Sequence, residues 1–162
     1  MGFDRIWSPW RKAYVTSGAR DPGCVFCRAL ESADDPKSLV VHVAGRSFVV
    51  MNLYPYNAGH VMIAPRRHVG SLTEATAEEL SEMMELARKL ERVLSEAYKP
   101  DGINLGMNLG KAAGAGVADH IHLHMVPRWV GDTNFMTTVG GTRVIPEDPA
   151  EACAKLKAAL AR

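Results

Sequence analysis

Three histidines alternate with apolar residues late in the chain, in the stretch His120-Ile121-His122-Leu123-His124. Alternation with period two indicates a β-strand, because successive side chains point to opposite faces of a sheet. The pattern predicts that Ile121, Leu123 and Met125 face a core and that the histidines share the other face. Such a row of imidazoles suits covalent catalysis, since a neutral ring can attack an electrophile while its neighbour stabilises the developing charge.

The same spacing disfavours a zinc hydrolase in which all three histidines bind one metal ion. At about 3.3 Å per residue, His120 and His124 lie about 13 Å apart along a strand, whereas a zinc–nitrogen bond is about 2 Å long.

The segment before the histidines, residues 110–119, is rich in glycine and alanine. Glycine lets the backbone approach a bound group and point successive N–H dipoles at an anion. Glycine-rich loops are often plain turns, but the position of this one directly before the histidines predicts a phosphate cradle.

The three cysteines are an odd number, and two of them form the pair Cys24-Val25-Phe26-Cys27. This spacing suits a metal knuckle or a redox pair better than a structural disulfide framework. Cys153 stands alone in a helical segment and is interpreted as a small buried hydrophobe.

Hydrophobic patterning predicts an α+β fold that positions these groups. Strands are predicted at residues 38–43, 47–53, 60–65 and 103–109, followed by the histidine strand. Thr76 and Glu79 form a capping box ahead of one long helix that ends near Tyr98, with Met83 and Met84 as core residues. Shorter helices are predicted over residues 28–33 and 149–161.

Composition limits the range of functions. The chain has 162 residues, 47% hydrophobic and 23% charged, with a net charge of +1, which fits one globular domain and gives no global field that recruits nucleic acid. No run approaches the roughly 20 apolar residues of a membrane span, and no apolar signal core is present. We therefore predict a cytoplasmic protein with an aromatic arm at residues 1–23, which carries Trp7 and Trp10, and a single domain at residues 24–162.

The histidine stretch, the glycine-rich loop before it, and the motif from Asn52 to His60 resemble the histidine triad nucleotide-binding superfamily. The longer motifs, which include Val126-Pro127-Arg128-Trp129, resemble the branch of fragile histidine triad hydrolases and bacterial diadenosine tetraphosphate phosphorylases. The resemblance covers about residues 24–130. It implies a five-stranded antiparallel sheet with one long helix and a C-terminal helix, joined to a second copy in a homodimer with a continuous ten-stranded sheet.

The resemblance also implies a reaction at the α-phosphorus of a dinucleoside polyphosphate such as diadenosine tetraphosphate. His122 would carry the nucleotidyl group before water releases it, in a hydrolase, or inorganic phosphate does, in a phosphorylase. The triad does not decide between these two acceptors. A non-catalytic nucleotide-binding or sensing module is the alternative from a different class.

By position in the motifs, the resemblance assigns roles to individual residues. Catalysis falls to His122, His124 and His60. Asn52 would hold the ribose hydroxyls, with a plain turn residue as its alternative interpretation. Val117 stands where many relatives have serine or threonine. The full set implied to bind the nucleotide is Asn52, Asn108, Ala115, Gly116, Val117 and His124.

Some bacterial members of the superfamily use a Cys-x-x-Cys pair and two histidines as a structural zinc site. The matching residues here are Cys24, Cys27, His68 and His120, and cysteine and histidine suit tetrahedral zinc. The alternative is a pair of free thiols with His68 in solvent.

Overall fold

The computed structural model describes residues 23–132 and 147–161. Their elements in chain order are α1 (Val25–Glu31), β1 (Val40–Val43), β2 (Ser47–Met51), β3 (Val61–Pro65), α2 (Ala77–Tyr98), β4 (Gly102–Met107), a 3-10 turn (Lys111–Ala113), β5 (Leu123–Arg128) and α3 (Pro149–Leu160). The predicted aromatic arm, with Trp7 and Trp10, falls almost wholly outside the described residues. Within the described ranges, no helix combines the length and apolar character that crossing a membrane requires.

The five strands form one antiparallel sheet in the order β1-β2-β3-β5-β4, as the resemblance implied. The strands predicted at residues 38–43 and 47–53 are confirmed and form a hairpin, whose turn is closed by a hydrogen bond of 2.9 Å from the Ala44 N–H to the Ser47 carbonyl. Strand β4 lies at one edge of the sheet and has β5 as its neighbour.

The long helix α2 begins where its sequence predicts. The Thr76 hydroxyl accepts a hydrogen bond from the Glu79 N–H, and the Glu79 carboxylate accepts one from the Thr76 N–H, which completes the capping box. Met83 is buried, but the expectation that Met84 is also a core residue is wrong, because its side chain is 54% exposed. Adjacent helical positions are separated by about 100°, so Met84 turns away from the buried stripe that contains Met83.

The two faces of the sheet have different coverings. Helices α2 and α3 bury one face, which includes Leu123 and Met125 of β5. Helix α1 covers part of the other face with a smaller apolar cluster, made of Phe26, Val40, Phe48, Val50 and Ala64. Because side chains alternate along β5, His124 lies on this second face.

The prediction that the histidine strand starts at His120 is wrong, since β5 begins at Leu123. Strand β3 ends at Pro65, which has no N–H to offer. The Pro65 carbonyl lies 2.8 Å from Nε2 of the His120 ring, and the Ile121 N–H donates to the Val69 carbonyl instead. The chain therefore joins the sheet only at Leu123. His120 lies outside the sheet, whereas His124 lies within β5.

The short helix also differs from its prediction, since α1 starts at Val25 instead of Arg28. The Cys24 carbonyl accepts a hydrogen bond of 3.1 Å from the Arg28 N–H, which forms the first helical turn. The Cys-x-x-Cys pair thus lies at the start of a helix.

Candidate active site

His122 is held in one tautomer by its own backbone neighbourhood. Its Nδ1 lies 2.8 Å from the His120 carbonyl oxygen, which can only accept, so Nδ1 carries the proton and donates. The neutral ring therefore keeps its lone pair on Nε2. A neutral imidazole with an unprotonated nitrogen is the form that acts as a nucleophile.

His60 and His124 form a second ordered pair beside it. The Tyr56 N–H donates to Nδ1 of His60 at 3.0 Å, so this nitrogen is unprotonated and His60 carries its proton on Nε2. His60 Nε2 lies 2.9 Å from Nδ1 of His124 and donates to it. His124 is thereby left with an Nε2–H, which is a donor of the kind that an oxyanion needs.

Burial keeps these rings neutral. His60, His120 and His122 are buried, and His124 is half-buried. Burial, followed by the charges of His124 and His122, lowers the pKa of His60 to about 3. Burial, followed by the charge of His122, lowers the pKa of His124 to about 4. Burial also lowers the pKa of His122, although its hydrogen bond to the His120 carbonyl opposes the shift.

The low pKa of His60 predicts that part of the stability depends on pH. Its folded pKa of about 3 lies below the ordinary value of 6.5, so below pH 6.5 the unfolded chain binds more protons than the folded chain. This contribution is fully present above pH 6.5 and is lost as the pH falls towards 3. The expected slope is at most about 1.4 kcal/mol per pH unit for this one group.

The measurement is urea unfolding of the wild type and of His60→Gln at pH values from 4.5 to 7.5. The difference in free energy of unfolding between the two proteins should grow with pH up to about 6.5 and then stay constant. The residues of the proposed metal site are common to both proteins, so metal binding cancels in this difference. The difference reports the titration of His60 together with its coupling to His122 and His124. A difference that does not change with pH would contradict the low pKa of His60.

The loop between β2 and β3 carries Asn52 and delivers His60 to the site. The Asn52 side-chain oxygen accepts a hydrogen bond of 2.9 Å from the Tyr54 N–H, which is an Asx turn, and its Nδ2 lies 3.4 Å from Nδ1 of His60. Gly59 has a φ of +72°, and a Cβ there would lie 3.0 Å from the Tyr98 ring. Asn52 is therefore a turn residue that also faces the histidines, and its ribose contact stays a prediction.

The backbone of β4 leaves open space beside His124. Gly106 of β4 is the register partner of His124, and a Cβ added at Gly106 would meet nothing within 4 Å. Asn108 directly follows β4, and its Nδ2 would lie 4.0 Å from a Cβ at Gly114 of the glycine-rich loop. The edge strand and the predicted cradle therefore approach each other next to the triad.

The glycine-rich loop has two N–H groups without an acceptor among the described residues. The Ala115 N–H donates within the loop, to the Gly110 carbonyl at 3.3 Å. The N–H groups of Gly116 and Val117 donate to no acceptor in the part of the chain that the structure describes. Val117 packs against the apolar cluster of α1, which places this end of the loop on the histidine face of the sheet. Free N–H groups at that place suit an anion.

The four predicted metal ligands come together. One ligand atom from each of Cys24, Cys27, His68 and His120 lies within 4.8 Å of all the others. The His120 Nδ1 lies 3.3 Å from Cys24 Sγ and 3.7 Å from Cys27 Sγ, and the His68 Nδ1 lies 3.5 Å from Cys27 Sγ. The sulfur–nitrogen edge of a tetrahedral zinc site is about 3.5 Å, given bonds of about 2.3 and 2.0 Å. The donor set therefore fits a tetrahedral metal.

Hydrogen bonds around this cluster hold its residues in place. His120 donates from Nε2 to the Pro65 carbonyl, so its Nδ1 presents a lone pair to the sulfur atoms. Arg67, next to His68, makes two hydrogen bonds of 3.0 and 2.9 Å to Glu79 at the start of α2. Burial, followed by the charge of Cys24, raises the pKa of the Cys27 thiol, a shift that a bound cation would reverse by stabilising the thiolate.

Two aromatic residues at the site were not predicted from the sequence. The Phe26 ring packs on His122, with centroids 4.7 Å apart, and Tyr56 packs on His60 at 4.6 Å. The positions of both residues carried a signal, because Phe26 lies between the paired cysteines and Tyr56 lies in the loop that ends at His60. Trp129, which follows β5, lines a separate cavity of about 330 Å³ together with Tyr98 and Lys155.

Comparison with known proteins agrees with this geometry. A family model described as the HIT domain matches residues 34–130, which is more than half of the chain. The chain belongs to the HIT domain family. This HIT protein is 41% identical over 150 residues to an AP-4-A phosphorylase of Mycobacterium tuberculosis, a match that covers 88% of this chain and 77% of the relative.

Two further relatives of this HIT protein extend the comparison. A bis(5'-adenosyl)-triphosphatase of Dictyostelium discoideum is 37% identical over 82 residues, which are 51% of this chain and 54% of the relative. The crystal structure of a zinc-bound histidine triad family protein from Mycobacterium smegmatis superimposes with a TM-score of 0.69 at 33% identity, covering 86% of this chain and 94% of that one. The similarity to solved HIT structures thus extends over most of the chain.

Proposed function

We propose that this HIT protein cleaves dinucleoside polyphosphates through a nucleotidyl intermediate on His122, and that inorganic phosphate is the acceptor. The observation that carries the reaction is the tautomer of His122, which presents an unprotonated Nε2 next to the Nε2–H of His124. Phosphate is preferred as the acceptor because 88% of the chain aligns with the AP-4-A phosphorylase, compared with 51% for the triphosphatase. Hydrolysis is the second candidate, and the triphosphatase relative supports it.

In the first step the lone pair on His122 Nε2 attacks the α-phosphorus. A phosphorus–nitrogen bond forms, the bond to the bridging oxygen breaks, and the leaving nucleotide takes that electron pair. In the second step an oxygen of phosphate attacks the same phosphorus, and the phosphorus–nitrogen bond breaks. The electron pair returns to Nε2, so His122 is again neutral with its proton on Nδ1.

Negative charge on the oxygens of the α-phosphate is stabilised by fixed donors. These are the His124 Nε2–H, which the His60 contact orients, and the free N–H groups of Gly116 and Val117. Asn108, whose Nδ2 lies near Gly114 of the glycine-rich loop, adds a side-chain amide. Donors that are already oriented cost no rearrangement when charge develops, which is why they lower the barrier.

We further propose that Cys24, Cys27, His68 and His120 hold a structural zinc ion. The support is the donor set and the separations of 3.3 to 3.7 Å between sulfur and nitrogen atoms. A zinc ion bound by four protein ligands has no open position for substrate, so its contribution is to fix the fold around His120. The chemistry at phosphorus remains with His122.

A homodimer that extends the sheet through β4 also belongs to the proposal. Strand β4 has an open edge, and Leu105 is 48% exposed there. Edge strands with unpaired N–H and C=O groups are sites at which a second chain can pair. Light scattering should then give twice the chain mass of 17.6 kDa at micromolar concentration. The cytoplasmic location and the lack of a nucleic-acid partner stay predictions.

The test is incubation of the purified protein with diadenosine tetraphosphate, with and without inorganic phosphate. Transfer of the adenylyl group to phosphate gives ADP and ATP, and transfer to water gives AMP and ATP. Anion-exchange chromatography separates these products. We expect ADP and ATP that depend on phosphate. AMP and ATP formed regardless of phosphate would make the protein a hydrolase, and tight nucleotide binding without products would leave a binding module.

A further inference from the structure

We propose that Phe26 is a positioning residue for the nucleophile, because it transmits the geometry of the Cys24–Cys27 metal knuckle to the ring of His122. This inference rests on the proposed function. It concerns a residue that contacts the nucleophile from behind and has no part in the bond-making steps.

Phe26 contacts two histidines at once. Its ring centroid lies 4.7 Å from that of His122, with an angle of 37° between the planes, and 5.2 Å from that of His120, with an angle of 53°. His124 meets His122 in an edge contact at 4.8 Å and 73°. The His122 ring is therefore restrained by Phe26, by the His124 ring and by its own hydrogen bond to the His120 carbonyl.

Phe26 itself has little freedom to move. Its side chain is 3% exposed and packs in the cluster with Val40, Phe48 and Ala64, in which side chains interlock at high density. It lies in the first turn of α1, between two cysteines whose sulfur atoms approach His120 Nδ1 at 3.3 and 3.7 Å. Fixing both sulfurs on one ion fixes the backbone on either side of Phe26.

Two sets of contacts thus connect the cysteine and histidine cluster with the nucleophile. One passes through His120, whose ring is a ligand and whose carbonyl accepts the His122 Nδ1–H. The other passes through Phe26, whose ring packs against the His122 ring. A hydrogen bond to one edge still permits the ring to tilt about it, whereas packing against the face opposes that tilt. Phe26 therefore sets the direction in which Nε2 points.

The experiment compares Phe26→Leu with the matched control Phe48→Leu. Both phenylalanines are buried in the same cluster, and the structure shows aromatic contacts to His120 and His122 for Phe26. Loading of His122 with the adenylyl group is followed in a single turnover. We expect the loading rate to fall about 10- to 100-fold in Phe26→Leu, as small misplacements of reacting groups do, and to change less than about 2-fold in the control.

Three further readouts separate positioning from other roles. Zinc content and the Kd for AMP should match the wild type in both variants. The ¹⁵N signals of His122 should show the same tautomer in all three proteins, because the His120 carbonyl sets it, but relaxation of these signals should show a more mobile His122 ring in Phe26→Leu than in the wild type or Phe48→Leu. The NMR result tests positioning even if the wild-type protein shows no adenylylation, an outcome that would overturn the proposed function alone.

Several outcomes would overturn the role of Phe26. Equal losses in the two variants would mean that only cluster packing matters. A weaker Kd for AMP with an unchanged loading rate would make Phe26 a base contact. Loss of zinc in Phe26→Leu would make it part of the metal site, and an unchanged mobility of the His122 ring would remove the link to the nucleophile.

Discussion

His122→Ala is expected to lower the turnover of diadenosine tetraphosphate by about 10⁴-fold or more. The substitution removes the only group that the proposed reaction bonds to phosphorus, and loss of a covalent nucleophile has effects of this size or larger in other enzymes. The fold should tolerate the change, because the neighbouring His120 ring and Phe26 are each held by contacts of their own. Thermal unfolding should therefore show that the variant is folded, while the turnover assay shows that it is inactive.

A matched control for this variant is His42→Ala, since His42 is an exposed histidine on β1. It should turn over substrate at the wild-type rate. Intact-protein mass spectrometry after rapid acid-free quenching should show an adenylylated wild type and no adduct on His122→Ala. Turnover in His122→Ala above about one hundredth of wild type would contradict covalent catalysis by this residue.

Cys27→Ala is expected to abolish zinc binding and to lower the free energy of unfolding by several kcal/mol. The Cys27 sulfur lies near both histidines of the proposed zinc site, at 3.5 Å from His68 and 3.7 Å from His120. A ligand that binds only the folded state adds about 4 kcal/mol of stability when its free concentration is a thousandfold above Kd. The variant loses this contribution, and a chelator should have the same effect on the wild type.

The control is Cys153→Ala, which changes a buried cysteine outside the cluster. It should keep one zinc ion per chain and respond to a chelator as the wild type does. Zinc content is measured by elemental analysis and stability by urea unfolding, with and without chelator. A wild type whose stability is indifferent to chelation would show that the cysteines are ordinary thiols and not ligands.

Much of the fold was predictable because its signals are local. The capping box of Thr76 and Glu79 lies within four residues, and the alternation around Leu123 and Met125 correctly separated the two faces of the sheet. Patterns over a few residues determine such features. The start of β5 was missed because a contact distant in sequence decides it, namely the hydrogen bond between the His120 ring and the Pro65 carbonyl.

The residues that form the site were easier to predict than the tautomers of its histidines. Spacing and resemblance indicated the histidines and the four metal ligands, and the structure brings the metal ligands together. The tautomers of His60 and His122 depend on a backbone N–H and a backbone carbonyl, which become partners only once the loop of Tyr56 and the turn at His120 have formed. No pattern of side-chain types encodes these backbone partners.

The metal cluster also has a consequence for the order of folding. Cys24 and His120 are separated by 96 positions in the chain, so closing that loop costs about 4 kcal/mol of chain entropy beyond a constant term. A short Cys-x-x-Cys segment cannot recover this cost before the sheet has brought residue 120 next to β3. In the proposed zinc site, full coordination would therefore be a late event, and a chain that had acquired all four metal bonds would be one in which the nucleophile is already in place.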